Sequence, residues 1–424
     1  MNIHSGLEQY LESIREGIKK LKEYSAKELI LLHHNDSDGI TSGAILLKAF
    51  QRAGYNVKRF SLEKPYPALL EKLFEQNAWK IIVFADFAAK IAPLISRLNK
   101  GKNLVIILDH HKAEESEDDL VINLVPDFFG LRGDRDISAS CVSYFFAKEL
   151  DDANKELVHI AAFGGIADFY YIDNQVHSYN RHCLEDAVNA GLMRIEKNAV
   201  AEAGQDTEQF FIKLGEKKVN VNNFYPMIDI AGGVGFYDGG VDLAISVFLD
   251  GLTEEKLLKL EDYKKTKDTL FNAELERVKK NKLNDTGNIQ WLDVKDRFSP
   301  MGVKMIGLFL KEIVNMDFID PNKYLAGFML VPDNVPGFGD IKIGHTKVSM
   351  RSSRKLSAEI IDKKMPGMNE FLPEATNNLG GFADACHTVS AATTIDAGKE
   401  KELMLEAQRV LEIRMKGIIQ HDGG

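Results

Sequence analysis

Short stretches dominated by apolar residues punctuate the first third of the chain, at 29–32 (LILL), 80–84 (KIIVF), 104–108 (LVIIL) and 121–126 (VINLVP). Runs of this length with no polar alternation predict strands buried on both faces. Between them apolar positions recur at three- to four-residue spacing. The lead-in stretch 6–23 places Leu7, Tyr10, Leu11, Ile14, Ile18 and Leu21 on one helical face with charges opposite. A strand is expected at 56–60, and helices are expected at 67–75 and 90–98, from about Ser138 or Ser140 to Leu150, and at 156–167. Strands alternating with helices imply a parallel, doubly wound sheet.

The pattern weakens from about 190 to 250, where GGVGFYDGG (232–240) reads as a flexible junction ahead of a helix at 241–249. A long charged helix at 253–281 then reads as a connector, with Glu254 and Glu255 suited to its positive end. Strands at 290–294, 324–331 and 347–351, with helices at 301–315, 357–363 and 399–418, make a second, smaller α/β domain. The fold expected is therefore α/β and two-lobed: a doubly wound parallel-sheet domain (1–190), a helical junction and connector helix (191–285), and a smaller α/β domain (286–424).

The chain has 424 residues, enough for more than one core. With 45% hydrophobic and 27% charged residues, it has the composition of a soluble globular protein. No apolar run is long enough to span a bilayer and no signal peptide is evident, so a cytoplasmic location away from membranes is expected. Three widely spaced cysteines argue for a reducing compartment and lack zinc-site spacing. The net charge of −10 disfavours broad duplex-DNA binding, yet is compatible with a local basic groove.

Chemistry gathers where the strands end. The run at 29–32 leads into HHNDSDG, which carries His34, Asp36 and Asp38; the run at 80–84 leads to Asp86; the run at 104–108 leads to Asp109, His110 and His111. The apolar helix at 156–167 finishes at Asp168, an acid costly to bury unless paired or metal-bound. The C-terminal edge of a parallel sheet is where open α/β folds bind ligands. One Asp/Ser/Gly loop alone is ordinarily a turn with a helix cap; three strands ending in Asp or His are harder to dismiss. Carboxylates and imidazoles without thiolates suit Mn²⁺ or Mg²⁺, and there are enough for two ions with one carboxylate bridging. Such a pair serves phosphoryl displacement without a protein nucleophile.

HNDSDG, the acid in VFADFA, DHHK and the acid in GGIAD resemble the four motifs of the DHH phosphoesterase superfamily. The second half resembles its DHH-associated domain through KVSMRSS and a GG…H…AA element. FGLRGDRDISAS and the chain length are most similar to archaeal RecJ-like single-strand exonucleases. The resemblance implies His34 with Asp36 on one metal, Asp38 with His110 and Asp168 on the other, and Asp86 bridging. It implies catalytic roles for Asp38, Asp109 and His111, with His111 on the scissile phosphate and Asp109 orienting a neighbouring histidine. His33 is read as buried beside the strand end, not as a ligand. Ser349, Arg351, Gly380, Gly381 and His387 are implied to bind substrate. Two departures stand out. The family's compact GGGH is interrupted by Phe382–Cys386, and His34 stands where bacterial RecJ has an acid.

The expected reaction is phosphodiester hydrolysis with two Mn²⁺ ions, Mg²⁺ being an alternative, on single-stranded DNA or RNA. Lys58, Arg59, Arg132, Arg135, Arg351 and Arg354 are candidate backbone contacts, and Phe128, Phe129, Tyr170 and Tyr171 are candidate stacking surfaces. An alternative is an oligoribonuclease or small-nucleotide phosphatase acting on dinucleotides or nucleoside bisphosphates, which the acidic charge favours. A third reading is a non-catalytic replication scaffold, disfavoured because every expected metal ligand remains. A helicase or replisome partner and a homo-oligomeric state are both compatible with these readings.

Overall fold

The computed structural model describes residues 3–199 and 206–421. They divide into two compact units, residues 1–264 with 335–339, and residues 265–334 with 340–424.

In the first unit, β1 (Glu28–His34), β2 (Asn56–Leu62), β3 (Ile81–Ala85), β4 (Leu104–Leu108) and β5 (Val121–Leu124) form one sheet in the order β2-β1-β3-β4-β5. Every pairing in it is parallel. All five residues of β3 and of β4 are buried, as their unbroken apolar runs require, whereas the edge strand β2 is largely part-exposed. In this strand order the winding reverses between β1 and β3, which opens a crevice beyond their C-terminal ends. Helices Ser37–Arg52, Ala139–Leu150 and Val158–Asp173 pack on one another beside the sheet.

The stretch expected to be a junction belongs to this first unit. An antiparallel sheet of β6 (Met193–Ala199), β7 (Asp206–Leu214) and β8 (Lys217–Asn220) forms there. GGVGFYDGG does not form a flexible linker: Gly232 and Gly233 lie buried inside helix Val221–Val234. Phe210, Phe224, Ile228 and Val241 share one core with Leu31 and Ile106. The charged helix forms over Glu254–Asn281, and its residues divide between the two units at 264/265.

The second unit has a six-stranded sheet. Its strands are β9 (Asn284–Thr286), β10 (Ile289–Asp293), β11 (Tyr324–Leu330), β14 (His345–Arg351), β15 (Phe382–Cys386) and β16 (Ser390–Asp396), in the order β15-β16-β14-β11-β10-β9. A two-stranded ladder, β12 (Asn334–Val335) with β13 (Gly339–Asp340), lies between β11 and β14 in sequence. Only β10 and β11 pair in parallel in the six-stranded sheet. Phe371 and Leu372 of helix Met368–Asn378, with Leu403 and Leu411 of helix Glu400–His421, cover one face against Tyr324, Phe328 and Met350. Helix Met305–Ile313 packs on β11 and β14. No helix among the described residues is long and apolar enough to cross a membrane.

Candidate metal centre

The turn after β1 is fixed from three sides. Asp36 caps helix Ser37–Arg52, its Oδ1 accepting the Gly39 N–H at 3.1 Å. Asp229 Oδ1, from helix Val221–Val234, accepts both the Ser37 N–H and its hydroxyl at 2.9 Å. Asn35 Nδ2 donates to the Gly232 carbonyl at 2.9 Å. A carboxylate at a helix start also suits the local positive potential. The outcome is that Asp36 and Asp38 face different partners. Asp36 Oδ2 stands 2.9 Å from His34 Nδ1, which lies 3.5 Å from Asp86 Oδ2.

Asp38 turns to the first turn of helix Ala139–Leu150. Its Oδ2 accepts the Ala139 N–H at 2.7 Å and its Oδ1 the Ser140 N–H at 2.9 Å. This is what the ISAS segment of FGLRGDRDISAS does, with Ser138 as the helix cap. The same segment also sets His110. His110 Nδ1 donates to the Gly133 carbonyl at 2.6 Å, so that in the neutral ring the lone pair is on Nε2, the nitrogen able to act as a ligand. That Nε2 faces Asp86 Oδ1 at 3.5 Å, Asp38 Oδ2 at 3.9 Å and Asp168 Oδ2 at 3.9 Å. These separations are too long for hydrogen bonds. They are in the range of donors arranged around one small cation, each about 2.1 Å from it.

Gly133 is required at its position, because a Cβ there would stand 1.4 Å from the His110 carbonyl oxygen. Gly133→Ala is expected to displace His110, costing about 3 kcal/mol of stability and most of the metal affinity. Urea unfolding and Mn²⁺ titration of the purified variant check this; an alanine variant as stable and as tight as the parent contradicts it.

Asp109 is an orienting group. Its Oδ1 accepts the N–H of His110 (2.7 Å) and of His111 (3.2 Å) and the His111 Nδ1–H (2.8 Å), while Oδ2 accepts the Ala89 N–H at 2.9 Å. Burial opposes its charge, but His111, His110 and the backbone donors win, holding the carboxyl well below its ordinary range. The His111 ring is held at Nδ1 by Asp109 with its side chain 61% exposed. His33 is fully buried and stands apart from the carboxylates.

Three groups of donors result, His34–Asp36–Asp86, Asp38–His110–Asp168 and Asp86–Asp109–His110–His111, with the ligand atoms of each within 4.8 Å of one another. Asp86 and His110 each belong to two of them. Burial, with Asp86 and Asp168 nearby, pushes Asp38 up to about 8 despite its two backbone donors. Burial also raises Asp168, to about 6; His110 pulls it back and Asp86 and Asp36 reinforce the rise. Burial works against charge on His34, yet Asp36 and Asp86 raise it to about 9. His110 moves up in the same sense, under Asp86, Asp168 and Asp38. Carboxyl groups raised by one another's charge, and histidines raised by those same carboxylates, mark a buried cluster with surplus negative charge. A divalent cation offsets that surplus, and the donor set of oxygens and imidazoles without thiolates suits Mg²⁺ or Mn²⁺.

In the second unit, Ser349 and Arg351 project from the same face of β14, beside Gly307 of helix Met305–Ile313. The Arg351 guanidinium donates only to the Met350 and Ala391 carbonyls among the described residues, and burial lowers its pKa. Gly380 and Gly381 do not offer free N–H groups. They donate to Asn377 O at 2.9 Å and Thr376 O at 3.0 Å, with Gly380 left-handed (φ 76°), which is a Schellman ending for helix Met368–Asn378. Nor are they beside His387. The intervening residues form β15, so Gly381 lies near Thr394, while His387 bonds Ser390, the residue paired with Arg351.

Among the other basic candidates, Arg59 pairs with Asp242 and Arg132 with Asp136. Lys58 covers Phe60, and Phe129 packs on Tyr10. The side chains of Tyr170 and Tyr171 lie outside the described residues.

Residues 28–164 match the DHH family, N-terminal domain. An uncharacterized protein of Methanocaldococcus jannaschii is 30% identical over 201 residues, which span 43% of this chain and 45% of that protein. The fold is similar to that of RecJ from Thermus thermophilus, solved in complex with Mn²⁺, with a TM-score of 0.60 at 15% identity, covering 95% of this chain and 55% of that one. A second similar structure is an exonuclease RecJ bound to manganese, with a TM-score of 0.55 at 15% identity and 94% of each chain covered. The chain thus spans about half the length of the curated relative. The chain thus matches the N-terminal domain of the DHH family over residues 28–164, on a two-domain α/β fold similar to that of RecJ.

Proposed function

We propose that this chain is a metal-dependent phosphodiesterase that degrades single-stranded nucleic acid from an end. The observation that carries the reading is Asp86. It lies 4% exposed between His34 and His110, and its two oxygens address two separate donor groups. His34, Asp36 and Asp86 would hold one ion, and Asp38, His110 and Asp168 a second, Mn²⁺ being the best fit to mixed imidazole and carboxylate ligands. When bound, two such ions supply a water of lowered pKa and positive charge against the phosphate oxygens.

The remaining roles fall to the chain's own side chains. Asp109 holds the His111 ring by Nδ1 with much of it facing solvent, where it can donate to a phosphate oxygen. Arg351, a mostly buried cation with carbonyl partners alone, suits a phosphate of the substrate, with Ser349 beside it. His387 is exposed near Arg351 on the sheet and is assigned with them. Gly380 and Gly381 are left out, since their N–H groups serve the helix end.

A second reading, cleavage of dinucleotides and nucleoside bisphosphates, is favoured by the commitment of Arg59 and Arg132 to acids, which thins the supply of backbone contacts for a long strand. A Mn²⁺-supplemented digestion panel separates the two. End-labelled single strands of graded length should be shortened stepwise, faster above a length of several nucleotides. Activity confined to the shortest species supports the second reading, and hydrolysis of none of them defeats both.

A further inference from the structure

His33 and Arg59 lie under the metal centre and have no part in the chemistry above. We propose that Arg59 is a positioning residue for that centre, acting through the buried His33 on the main chain of His34. The inference rests on the metal-site reading of His34.

Arg59 Nη1 lies 2.8 Å from His33 Nε2. A guanidinium only donates, so Nε2 accepts and the single ring proton sits on Nδ1. Nδ1 in turn lies 2.7 Å from the His34 carbonyl oxygen, to which it donates. The tautomer is thus dictated by the arginine and spent on the peptide that follows His34, where β1 leaves the sheet. The ring has no freedom to turn away. It is 0% exposed, and a Cβ at Gly43, in helix Ser37–Arg52, would stand 2.6 Å from its Cδ2.

Arg59 sits on β2, opposite Leu31 of β1, and its outer nitrogen is paired with Asp242 of helix Gly240–Asp250. Hydrogen bonds therefore link a surface carboxylate, through Arg59 and His33, to the carbonyl of His34. Without the guanidinium, Nε2 is a buried acceptor with no donor. That cost is relieved only by displacing the ring, which loosens the Nδ1–H bond to the His34 carbonyl. His34 Nδ1 would no longer be held against Asp36 and Asp86.

The test compares wild type, Arg59→Met and Arg59→Lys in two measurements. In metal-free protein, ¹⁵N-resolved imidazole spectra should show the His33 Nδ1 proton exchanging slowly with solvent in wild type and in Arg59→Lys, and about tenfold faster in Arg59→Met. Mn²⁺ binding followed by EPR of the free ion should weaken about tenfold in Arg59→Met and recover in Arg59→Lys. If the Nδ1 proton exchanges as slowly in Arg59→Met as in wild type, or Arg59→Met binds Mn²⁺ as wild type does, the proposal is overturned. Should Arg59→Met fail to fold, His33→Phe keeps the ring volume, removes both bonds and carries the same Mn²⁺ expectation; wild-type affinity in it also overturns the proposal. Wild-type protein that binds no Mn²⁺ defeats the metal-site reading instead, a separate failure because the exchange comparison is made without metal.

Discussion

Asp86→Asn should abolish hydrolysis while leaving the metal-free protein at least as stable as wild type. Asp86 has a left-handed backbone (φ 66°), which asparagine tolerates as well as aspartate does, so the substitution costs little in conformation. It removes a buried charge that raises Asp38 and Asp168. Relief of that repulsion should offset the loss of its attraction for His34 and His110 and leave the thermal midpoint unchanged or raised. The same change removes a donor shared by two groups, and activity at saturating Mn²⁺ should fall by about a thousandfold or more, the scale of losing a preorganised charge at the reacting centre. Initial rates and a melting curve on one preparation check both halves. A variant that is both active and less stable would mean that Asp86 serves the fold instead.

Metal-free protein should lose stability as pH rises through neutrality. Asp38 and Asp168 bind protons more tightly folded than unfolded, so their contribution falls as pH rises from about 4, to about 8 for Asp38 and about 6 for Asp168. His34 contributes stability that is complete below its ordinary value of 6.5 and is lost as pH passes about 9; His110 and His111 act in the same direction. Asp109 runs the other way, its contribution being present above the ordinary carboxylate range and lost only in acid. Between pH 6 and pH 9 the losses dominate, and the melting midpoint should drop by about 5 °C or more. Mn²⁺ at a hundred times its dissociation constant should add about 2.7 kcal/mol, with protons released as it binds. Calorimetric scans with and without chelator check the slope; a metal-free midpoint that climbs steadily from pH 6 to pH 9 would contradict the electrostatic account.

The first unit's sheet was legible because β3 and β4 are buried on both faces and are therefore written as unbroken apolar runs. The acids and histidines at their ends follow directly from that placement. What holds those residues was not legible. Asn35 reaches Gly232 across 197 residues, and Asp229 reaches Ser37 across 192, contacts with no local signature. Helix Val221–Val234 contains Pro226 and a glycine pair, residues that ordinarily mark loops; at Gly232 a Cβ would stand 1.8 Å from the Asn35 carbonyl oxygen, so packing on the opening turn explains that glycine. Gly133 and the Ala139–Ser140 N–H groups act through backbone, so FGLRGDRDISAS could be noticed as a pattern but not assigned a task. Arg59, expected among the contacts to a substrate backbone, is a part-buried partner of His33 and Asp242. In the second unit, the glycines before β15 were read as a phosphate cradle because a cradle and a helix ending use the same residue in the same left-handed conformation.

The central claim is that His34, Asp36, Asp38, Asp86, His110 and Asp168 converge to hold a pair of cations. Anomalous diffraction at the manganese edge, from crystals grown with MnCl₂, tests it most directly. Two peaks are expected, one among His34, Asp36 and Asp86 and the other among Asp38, His110 and Asp168. A map with no peak between those side chains would contradict the account.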